Sequence, residues 1–383
     1  MEKGRILVSY IECKTGNKIG VLTLDNPNSL NALNYDMLLA IKAQLQQWES
    51  DPEVVCVFID SVDDNAFCAG GDIREMYRAM ADHSDDVTQR LFTQYFTAEY
   101  SCDYEVNCCS KPVIAWGHGL VMGGGMGIYM AADYRIVTEN SQLAMPEVRI
   151  GLYPDVGATY FLSQLPSGVG LFLGLTGCRV NASDALFLGM ANAFIRKEQK
   201  EQKEQFIATL QQISWRSDIT QEAQNENHQH IESQLSILSE ENAAAYPASQ
   251  MVPYLPQIQA ACHHGDLNIV AEQILAIDGL GPWLEEAKQG LRDGSPISAH
   301  ICFRQLTQYN HISLAESYRL DLGLSIRCGL LGEFQEGVRA KLIDKDQCPN
   351  WRYKSLKEVD SSLIDTLFEP LWLADDHPFS SFK

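Results

Sequence analysis

The chain is short of positive charge. It has 29 lysines and arginines against 50 aspartates and glutamates, which gives a formal net charge of -21 at pH 7. Binding to the phosphates of nucleic acid needs a basic surface, so this composition argues against a nucleic-acid partner. It does not exclude a small anionic ligand, because backbone N–H groups can hold a phosphate on an acidic protein.

Long apolar runs and paired cysteine motifs are also missing. No apolar stretch approaches the roughly 20 residues that a membrane-spanning helix needs, so no membrane association is expected. The 11 cysteines are odd in number and include no Cys-x-x-Cys, which indicates reduced thiols rather than a disulfide framework. The first residues show neither a signal-peptide core nor a transit-peptide pattern. We therefore expect a soluble protein of the cytoplasm.

The common cofactor and catalytic fingerprints are absent as well. The sequence contains no Gly-x-Ser-x-Gly, no P-loop and no Gly-x-Gly-x-x-Gly, and its histidines lack metal-ligand spacing. No nucleotide cofactor and no metal are predicted. His118 sits between glycines after a strand; it could be catalytic, but packing or backbone hydrogen bonding is the expected role. Cys68 lies near the first glycine loop with no adjacent base, so it is expected to be a small buried residue.

The first half of the chain alternates β and α patterns. Residues 6–13 and 18–24 predict a hairpin, and Asn34 can cap a helix that ends before Pro52. Residues 54–59 and 113–116 are apolar runs typical of buried strands. The order strand, loop, helix, strand, loop, helix predicts an α/β arrangement, whose ligand should bind beyond the carboxyl ends of the strands.

The composition changes near residue 196. Residues 196–215 are rich in Lys, Glu and Gln, and residues 221–242 are polar enough to predict a surface excursion. Helical patterns then continue from residue 267 to 342. We predict an α/β core over residues 1–195 and a helical region over residues 196–383 that packs on it.

Two glycine loops form the first candidate site. Gly70-Gly71 and the run Gly123 to Gly125 each follow a predicted strand. One interpretation is structural, because glycine is the default residue of tight turns. The functional one is that one peptide N–H from each loop meets a carbonyl oxygen and forms an oxyanion hole. Three glycines opening a helix favour function, since the helix N-terminus adds partial positive charge.

Glu147 and Asp155 form the second candidate site. A single carboxylate is usually solvated, but these two lie in segments that are otherwise apolar and rich in Gly and Pro. Carboxylates in apolar surroundings tend to be paired or to have shifted pKa values, as acid–base and nucleophilic chemistry requires. Pro146 and Pro154 precede them and restrict the backbone, so both side chains can be held rigidly.

Together these motifs resemble the crotonase, or enoyl-CoA hydratase/isomerase, superfamily. The resemblance is carried by Asn-Pro-Asn-Ser-Leu-Asn-Ala-Leu at 26–33, Ala-Phe-Cys-Ala-Gly-Gly-Asp-Ile at 66–73, Lys-Pro-Val-Ile-Ala at 111–115 and Met-Pro-Glu…Gly-Leu-Tyr-Pro-Asp-Val-Gly at 145–157. It implies a crotonase-like ββα spiral core with a helical C-terminal region. It also implies an acyl-CoA thioester as the substrate, with coenzyme A as part of that substrate and no separate cofactor.

The resemblance also implies roles for individual residues. Backbone N–H groups form the oxyanion hole in this family, and neighbouring loops line the adenine side of coenzyme A. In the hydrolases of the family, three acidic positions contact the acyl part or perform chemistry. The implied site residues are Gly71 and Gly124 for the oxyanion hole, Glu147 and Asp155 for catalysis, and Glu99, Ala69 and Leu30 for substrate binding.

One departure from the family pattern decides which activity is expected. Hydratases carry a second catalytic glutamate where this chain has Gly127, so addition of water to an enoyl double bond is disfavoured. The Pro154-Asp155 step and Ser-Pro-Ile-Ser at 295–298 match the hydrolases of the family. The resemblance then implies hydrolysis of a short branched 3-hydroxyacyl-CoA, with 3-hydroxyisobutyryl-CoA of valine breakdown as the expected substrate.

Several alternatives stay open at this point. The chain could be an enoyl-CoA hydratase or isomerase, or a non-catalytic protein that binds coenzyme A. Glu147 could attack the thioester to form an anhydride or deprotonate the attacking water. Apart from the acyl-CoA, the only partner expected is a second copy of the chain in a homo-oligomer.

Overall fold

The computed structural model describes residues 3–62, 64–81, 85–196, 200–218 and 220–383. Ten strands occur in these ranges. They are β1 (Arg5–Glu12), β2 (Lys18–Asp25), β3 (Val54–Ser61), β4 (Ala66–Cys68), β5 (Val113–Gly117), β6 (Leu120–Met122), β7 (Tyr134–Val137), β8 (Gln142–Ala144), β9 (Val180–Asn181) and β10 (Ala193–Phe194).

Sixteen α-helices accompany these strands in the described ranges. They are α1 (Tyr35–Glu49), α2 (Ile73–Ala81), α3 (Asp85–Cys108), α4 (Gly124–Ala131), α5 (Ala158–Ser163), α6 (Val169–Thr176), α7 (Ala182–Phe187), α8 (Lys200–Gln212), α9 (Gln221–Asn242), α10 (Leu255–Ala261), α11 (Leu267–Leu275), α12 (Pro282–Asp293), α13 (Pro296–Gln308), α14 (Leu314–Leu331), α15 (Glu333–Val338) and α16 (Ser361–Phe368).

The described residues form two compact units, each built from three stretches of sequence. Unit 1 takes its residues from Met1–Gly71, Ser101–Leu143 and Val180–Ser249. Unit 2 takes its residues from Asp72–Tyr100, Ala144–Arg179 and Gln250–Lys383. The division into domains of residues 1–195 and 196–383 stays a prediction.

A six-stranded sheet of order β1-β2-β3-β5-β7-β10 dominates unit 1. The predicted hairpin is confirmed, because β1 and β2 are antiparallel with Arg5 opposite Asp25. From β2 onward all neighbouring strands are parallel. Every residue of β3 and β5 is buried, as their continuous apolar sequences predicted.

Helix α1 has the predicted cap and the predicted apolar face. The Asn34 side chain accepts a hydrogen bond of 3.0 Å from the Met37 backbone N–H, which satisfies a donor at the helix start. One face of the helix is buried while the rest meets solvent. The residues of this buried face are Met37, Leu38, Ile41, Leu45 and Trp48.

The prediction of a surface excursion at residues 221–242 was wrong. This segment is the 22-residue helix α9, which begins at a Thr220 cap. Its side chains Ile231, Leu235 and Leu238 pack in the core cluster with residues of the large sheet. The segment is polar overall, but its few apolar residues recur every three or four positions and so form one buried stripe.

A second, four-stranded sheet of order β4-β6-β8-β9 determines where the glycine loops lie. Except for Ala144, the last residue of β8, it belongs to unit 1. The sequence predicted that the loops follow the long strands β3 and β5 directly. Instead each loop follows a three-residue strand, β4 or β6, which comes after a turn from the long strand.

Unit 2 is helical and has an aromatic core. Helix α6 is buried along its whole length. The rings of Phe92 and Phe96 lie 5.5 Å apart, and Phe92 also contacts Phe334 at 6.0 Å. Tyr100 stacks on Tyr318 of α14 at 5.9 Å. The helices predicted between residues 267 and 342 are confirmed as α11 to α15.

Candidate active site

The two glycine loops lie side by side in unit 1. Strands β4 and β6 are parallel neighbours, with Cys68 opposite Val121, so they end at the same edge of the small sheet. Gly70, which follows β4, has a φ of 107°. A Cβ atom placed on Gly70 would lie 3.3 Å from the carbonyl oxygen of Met122 and 3.6 Å from the nitrogen of Gly124. The structure therefore brings the two loops into contact, as the sequence predicted.

Each loop carries one of the two N–H groups predicted for the oxyanion hole. Gly124 is the first residue of α4, where N–H groups have no acceptor inside the helix. Within the described part of the chain, neither Gly71 nor Gly124 donates its N–H to a backbone carbonyl of another loop. Two donors on adjacent loops are the groups that could stabilise a negative oxygen. Their role as an oxyanion hole stays a prediction.

Close packing of α4 against β4 keeps these loops in place. A Cβ atom on Gly125 would lie only 2.4 Å from the carbonyl oxygen of Cys68, so no larger residue fits without displacing the strand. The Cys68 side chain is buried, and its Sγ lies 3.6 Å from the Gly70 carbonyl oxygen, which agrees with its predicted packing role. The glycine run thus has a structural function at Gly125 in addition to the donor at Gly124.

The loop predicted to face the adenine of coenzyme A is fixed to the same small sheet. Leu30 and Asn31 both adopt left-handed backbone, with φ values of 52° and 56°. The Asn31 side chain donates to the carbonyl oxygen of Ala66 at 2.9 Å, and the Ala69 N–H donates to the carbonyl of Leu30 at 3.0 Å. Leu30 and Ala69 are therefore neighbours, although their contact with a substrate stays a prediction.

Glu147 lies in unit 2 at the start of a short 3-10 helix, Glu147–Ile150. Pro146 precedes it, and Gly151 ends the turn with a φ of 72° and an N–H that donates to the Glu147 carbonyl. The side chain is only 5% exposed, and its Oε2 atom has no hydrogen-bond partner among the described residues. A buried carboxyl oxygen without a partner is costly in a folded protein, which makes it a candidate for contact with a substrate.

Asp155 is also buried in unit 2, but it has a firm hydrogen bond. It is 3% exposed, and its Oδ2 atom accepts a hydrogen bond of 2.6 Å from the Tyr100 hydroxyl. The Tyr100 oxygen also lies 2.7 Å from Ser325 Oγ, which in turn lies 2.8 Å from the Tyr153 hydroxyl. Asp155 is thus held by a chain of hydroxyl groups rather than by a cation.

The sequence reasoning missed the groups that support Asp155. Tyr100 lies on α3 and Tyr153 comes two residues before Asp155, whereas Ser325 lies on α14, more than 150 positions after Asp155. One signal was present, because buried polar residues recur every four positions on an otherwise apolar helix face. These residues are Ser317, Asp321 and Ser325.

Burial raises the pKa of both carboxyl groups, and at Glu147 the charge of Asp155 adds to this effect. Burial, opposed by the Tyr100 hydrogen bond, raises the pKa of Asp155 to about 6. Burial and the charge of Asp155 together raise the pKa of Glu147 well above its usual range. Burial therefore favours the protonated form at both positions.

The raised pKa of Asp155 predicts an unusual dependence of stability on pH. A folded pKa above the unfolded value means that the folded state binds the proton more tightly, so this contribution is complete below pH 4 and is lost as pH rises through 6. The Asp155→Asn variant keeps an acceptor for Tyr100 and has no charge to bury. At pH 8 we expect its free energy of unfolding to exceed that of the parent by about 1–3 kcal/mol.

Urea denaturation at pH 8, 6 and 4.5 measures this difference, which should shrink as the pH falls. The matched control is Asp184→Asn, because Asp184 is a fully buried aspartate of unit 1 outside the candidate site. It should show no gain in stability. A lower stability of Asp155→Asn at pH 8 would contradict the assigned shift.

The two remaining candidate residues, Glu99 and His118, have different surroundings. Glu99 is buried on α3, directly before Tyr100, and its contact with an acyl group stays a prediction. His118 is buried in unit 1, with Nε2 3.5 Å from Ser61 Oγ and Nδ1 3.3 Å from the Trp116 carbonyl oxygen. The expected packing role of His118 therefore agrees with its surroundings.

Neither a metal-ligand cluster nor a membrane-spanning helix occurs in the part of the chain that the structure describes. No group of three or more His, Cys, Asp or Glu side chains in these ranges is arranged to hold a metal ion. Of the helices in the same ranges, none has both the length and the apolar sequence needed to cross a membrane.

The chain is similar to known proteins over most of its length. A sequence model described as enoyl-CoA hydratase/isomerase matches residues 19–368. Curated relatives include the mitochondrial 3-hydroxyisobutyryl-CoA hydrolase of Xenopus laevis, 36% identical over 93% of this chain and 88% of that protein. The protein of the same name from Homo sapiens is 35% identical over 93% of this chain and 87% of its own length.

Two solved structures with other names have the same fold as this chain. An enoyl-CoA hydratase from Rhodobacter sphaeroides 2.4.1 is similar with a TM-score of 0.78 and 30% identity, over 96% of this chain and 97% of that one. A carnitinyl-CoA dehydratase from Mycobacterium thermoresistibile has a TM-score of 0.80 and 26% identity, over 97% of this chain and 98% of that one.

Proposed function

Because the chain belongs to the enoyl-CoA hydratase/isomerase family, which confirms the predicted crotonase-like fold, we propose that it hydrolyses 3-hydroxyisobutyryl-CoA to 3-hydroxyisobutyrate and coenzyme A. Its curated relatives of that name cover most of the chain at about 35% identity. The observation that carries the proposal is the pair of buried carboxyl groups Glu147 and Asp155, one of which has an oxygen atom without a partner.

Thioester hydrolysis breaks the bond between the acyl carbon and the sulfur of coenzyme A. Water supplies a hydroxyl group to the acyl carbon and a proton to the departing thiolate. The N–H groups of Gly71 and Gly124 polarise the carbonyl and stabilise the negative oxygen that forms. Glu147 either attacks the acyl carbon to give an anhydride or takes the proton of the attacking water.

Asp155 serves the proton transfers of this reaction. In either route Glu147 acts as a carboxylate, so the protonated form that burial favours at this position must lose its proton. Asp155, whose pKa burial raises to about 6, can accept and return a proton, or orient the hydroxyl group of the substrate. Glu99 is proposed to bind that hydroxyl group, and Leu30 and Ala69 to line the adenine side of coenzyme A.

The second candidate function is hydration of an enoyl-CoA. It is favoured by the solved structure of an enoyl-CoA hydratase at 30% identity. Gly127 opposes it, because it lies buried on α4 and supplies no carboxylate where hydratases carry their second catalytic glutamate. Hydrolysis needs a single activated water and no such second glutamate, so it is the function that these residues support better.

A substrate panel tests the proposal. We expect the purified protein to release free thiol from 3-hydroxyisobutyryl-CoA faster than from straight-chain acyl-CoA thioesters, and to leave crotonyl-CoA unhydrated. Free-thiol detection measures the first reaction, and loss of the enoyl absorbance measures the second. Hydration of crotonyl-CoA without thiol release would establish the alternative, and tight binding of coenzyme A without either reaction would establish a binding protein.

The proposal includes a cellular setting. Release of 3-hydroxyisobutyrate from its thioester is a step of valine breakdown, a branched-chain amino acid pathway. The reaction needs water and no separate cofactor. We propose a cytoplasmic location and a homo-oligomer. The names of the curated relatives, by contrast, carry the word mitochondrial. Cell fractionation and light scattering test these two points.

A further inference from the structure

The backbone that follows Asp155 is strained. Val156 has a φ of 51°, and Gly157 after it has a φ of 82°. Glycine adopts this left-handed region freely, but a β-branched residue does so rarely and with strain. Val156 is also buried, so contacts with solvent cannot stabilise this conformation. Surrounding contacts must hold this turn, and they lie within unit 2.

Asp321 of α14 makes the central contact. Its side chain is fully buried, and Oδ2 accepts a hydrogen bond of 2.9 Å from the Gly157 backbone N–H. The Tyr153 hydroxyl donates to the backbone carbonyl of the same residue at 2.7 Å. Asp321 therefore binds the chain on both sides of Asp155, two residues before it and two residues after it.

Gln305 of α13 supports the same turn. Its Nε2 atom donates to Thr159 Oγ1 at 2.8 Å and to the Pro154 carbonyl oxygen at 3.2 Å. None of these partners belongs to the pair of carboxyl groups assigned to catalysis. Residues 153–159 are thus clamped by two polar side chains from neighbouring helices.

A carboxyl group is a costly choice for this structural position. Asp321 takes part in none of the ion pairs found among the described residues, and an asparagine could accept the same hydrogen bond. Burial and the charge of Asp155 raise the pKa of Asp321 well above its usual range. What the turn requires at position 321 is therefore an acceptor for the Gly157 N–H, which an asparagine would also supply.

We propose that Asp321 is a positioning residue for the reaction: it holds the strained turn of Val156 and Gly157 and thereby keeps Asp155 directed at Tyr100. This inference rests on the proposed thioester hydrolysis for its kinetic consequence. A displacement of about 1 Å in a catalytic group can lower the rate 100-fold, so loss of the clamp should appear in kcat. Substrate binding should change little, because Asp321 is not proposed to contact the substrate.

Two substitutions separate positioning from general stability. Asp321→Ala removes the acceptor, and we expect kcat to fall about 10- to 100-fold with KM changed less than about threefold. Asp321→Asn keeps an acceptor for the Gly157 N–H and should retain kcat within about threefold of the parent. Asp184→Ala removes a fully buried aspartate from unit 1 and is the matched control, with lower stability and unchanged kcat.

A rescue experiment tests the strain directly. Glycine at position 156 adopts the left-handed conformation without strain. The double variant Val156→Gly/Asp321→Ala should therefore have a kcat about tenfold higher than that of Asp321→Ala alone. Equal losses for Asp321→Asn and Asp321→Ala would overturn the proposal, as would strictly additive effects of Val156→Gly and Asp321→Ala.

Hydrogen exchange gives a readout that does not depend on activity. The Gly157 amide should lose protection in Asp321→Ala and keep it in Asp321→Asn, as measured by mass spectrometry of a peptide that covers residues 153–160. If the parent protein fails to hydrolyse the thioester but this pattern appears, the proposed function is wrong and the clamp stands. Unchanged exchange in Asp321→Ala would refute the clamp itself.

Discussion

The Glu147→Gln variant is expected to hydrolyse 3-hydroxyisobutyryl-CoA about 10²- to 10⁴-fold more slowly than the parent protein. A glutamine cannot take a proton from water, and it cannot attack the acyl carbon as a carboxylate does. The substitution is nearly isosteric, and Oε2 has no partner to lose in the described structure, so the fold should persist. Stopped-flow or steady-state release of free thiol measures the effect, and circular dichroism confirms the fold.

Glu333→Gln is the matched control for this variant. Glu333 is also a buried glutamate of unit 2, but its carboxylate accepts hydrogen bonds of 2.6 Å from Ser295 Oγ and from the Arg352 N–H. It is anchored within the fold and is assigned no chemical step. We expect its kcat to stay within about threefold of the parent value. Normal turnover by Glu147→Gln would refute the role assigned to Glu147.

The parent protein, with Glu147 in place, allows a test of the two mechanisms proposed for this residue. During a single turnover in ¹⁸O-labelled water, an anhydride that is opened at the Glu147 carbonyl leaves ¹⁸O in the protein carboxyl group. A general base leaves all of the label in the released acid. Trapping with hydroxylamine is a second way to distinguish the two mechanisms, because only an anhydride can yield a hydroxamate on Glu147. Mass spectrometry of the peptide that contains residue 147 reads both results.

Replacement of the Gly124 peptide N–H by an ester oxygen should lower kcat about 10²- to 10³-fold. Incorporation of glycolic acid at position 124 removes one hydrogen-bond donor and leaves the side-chain-free backbone in place. The N–H belongs to the first residue of α4 and has no acceptor within that helix, so little stability should be lost. The loss should fall on kcat, because the negative oxygen develops in the transition state.

The control for this experiment is the same replacement at Gly265. This glycine lies in an exposed turn before α11 and has no atom within 4 Å of where a side chain would begin. An ester there should leave kcat and stability unchanged. If the ester at position 124 acts no more strongly than the ester at 265, Gly124 is not an oxyanion donor. The same ester replacement at Gly71 would then decide whether the Gly71 N–H is the only one of the two that stabilises the negative oxygen.

Local sequence patterns predicted most of the fold. The hairpin of β1 and β2, the cap at Asn34 and the buried strands β3 and β5 depend on residues that are close in sequence, where spacing and capping chemistry act directly. The helix α9 was missed because its stripe of buried residues is thin. Its polar composition describes the exposed face, whereas the contacts with the large sheet decide the conformation.

The candidate site, too, was predictable from the sequence only in part. Glycine loops and carboxylates in apolar segments are visible in the sequence, because unusual residue types stand out from their neighbours. The short strands β4 and β6 are too brief to give a pattern, yet their parallel pairing is what places one glycine loop against the other. Register across a sheet depends on which strands pair, and no local signal records it.

The sequence by itself determined the family, the α/β core and the two carboxylates to test first, since each of these depends on short motifs and residue spacing. Only the tertiary structure showed that Tyr100 holds Asp155 and that Asp321 holds the turn after it. These partners come from segments 55 and 164 positions away. Burial then raises the pKa of Asp155, because the cost of a charge depends on the groups that folding places around it.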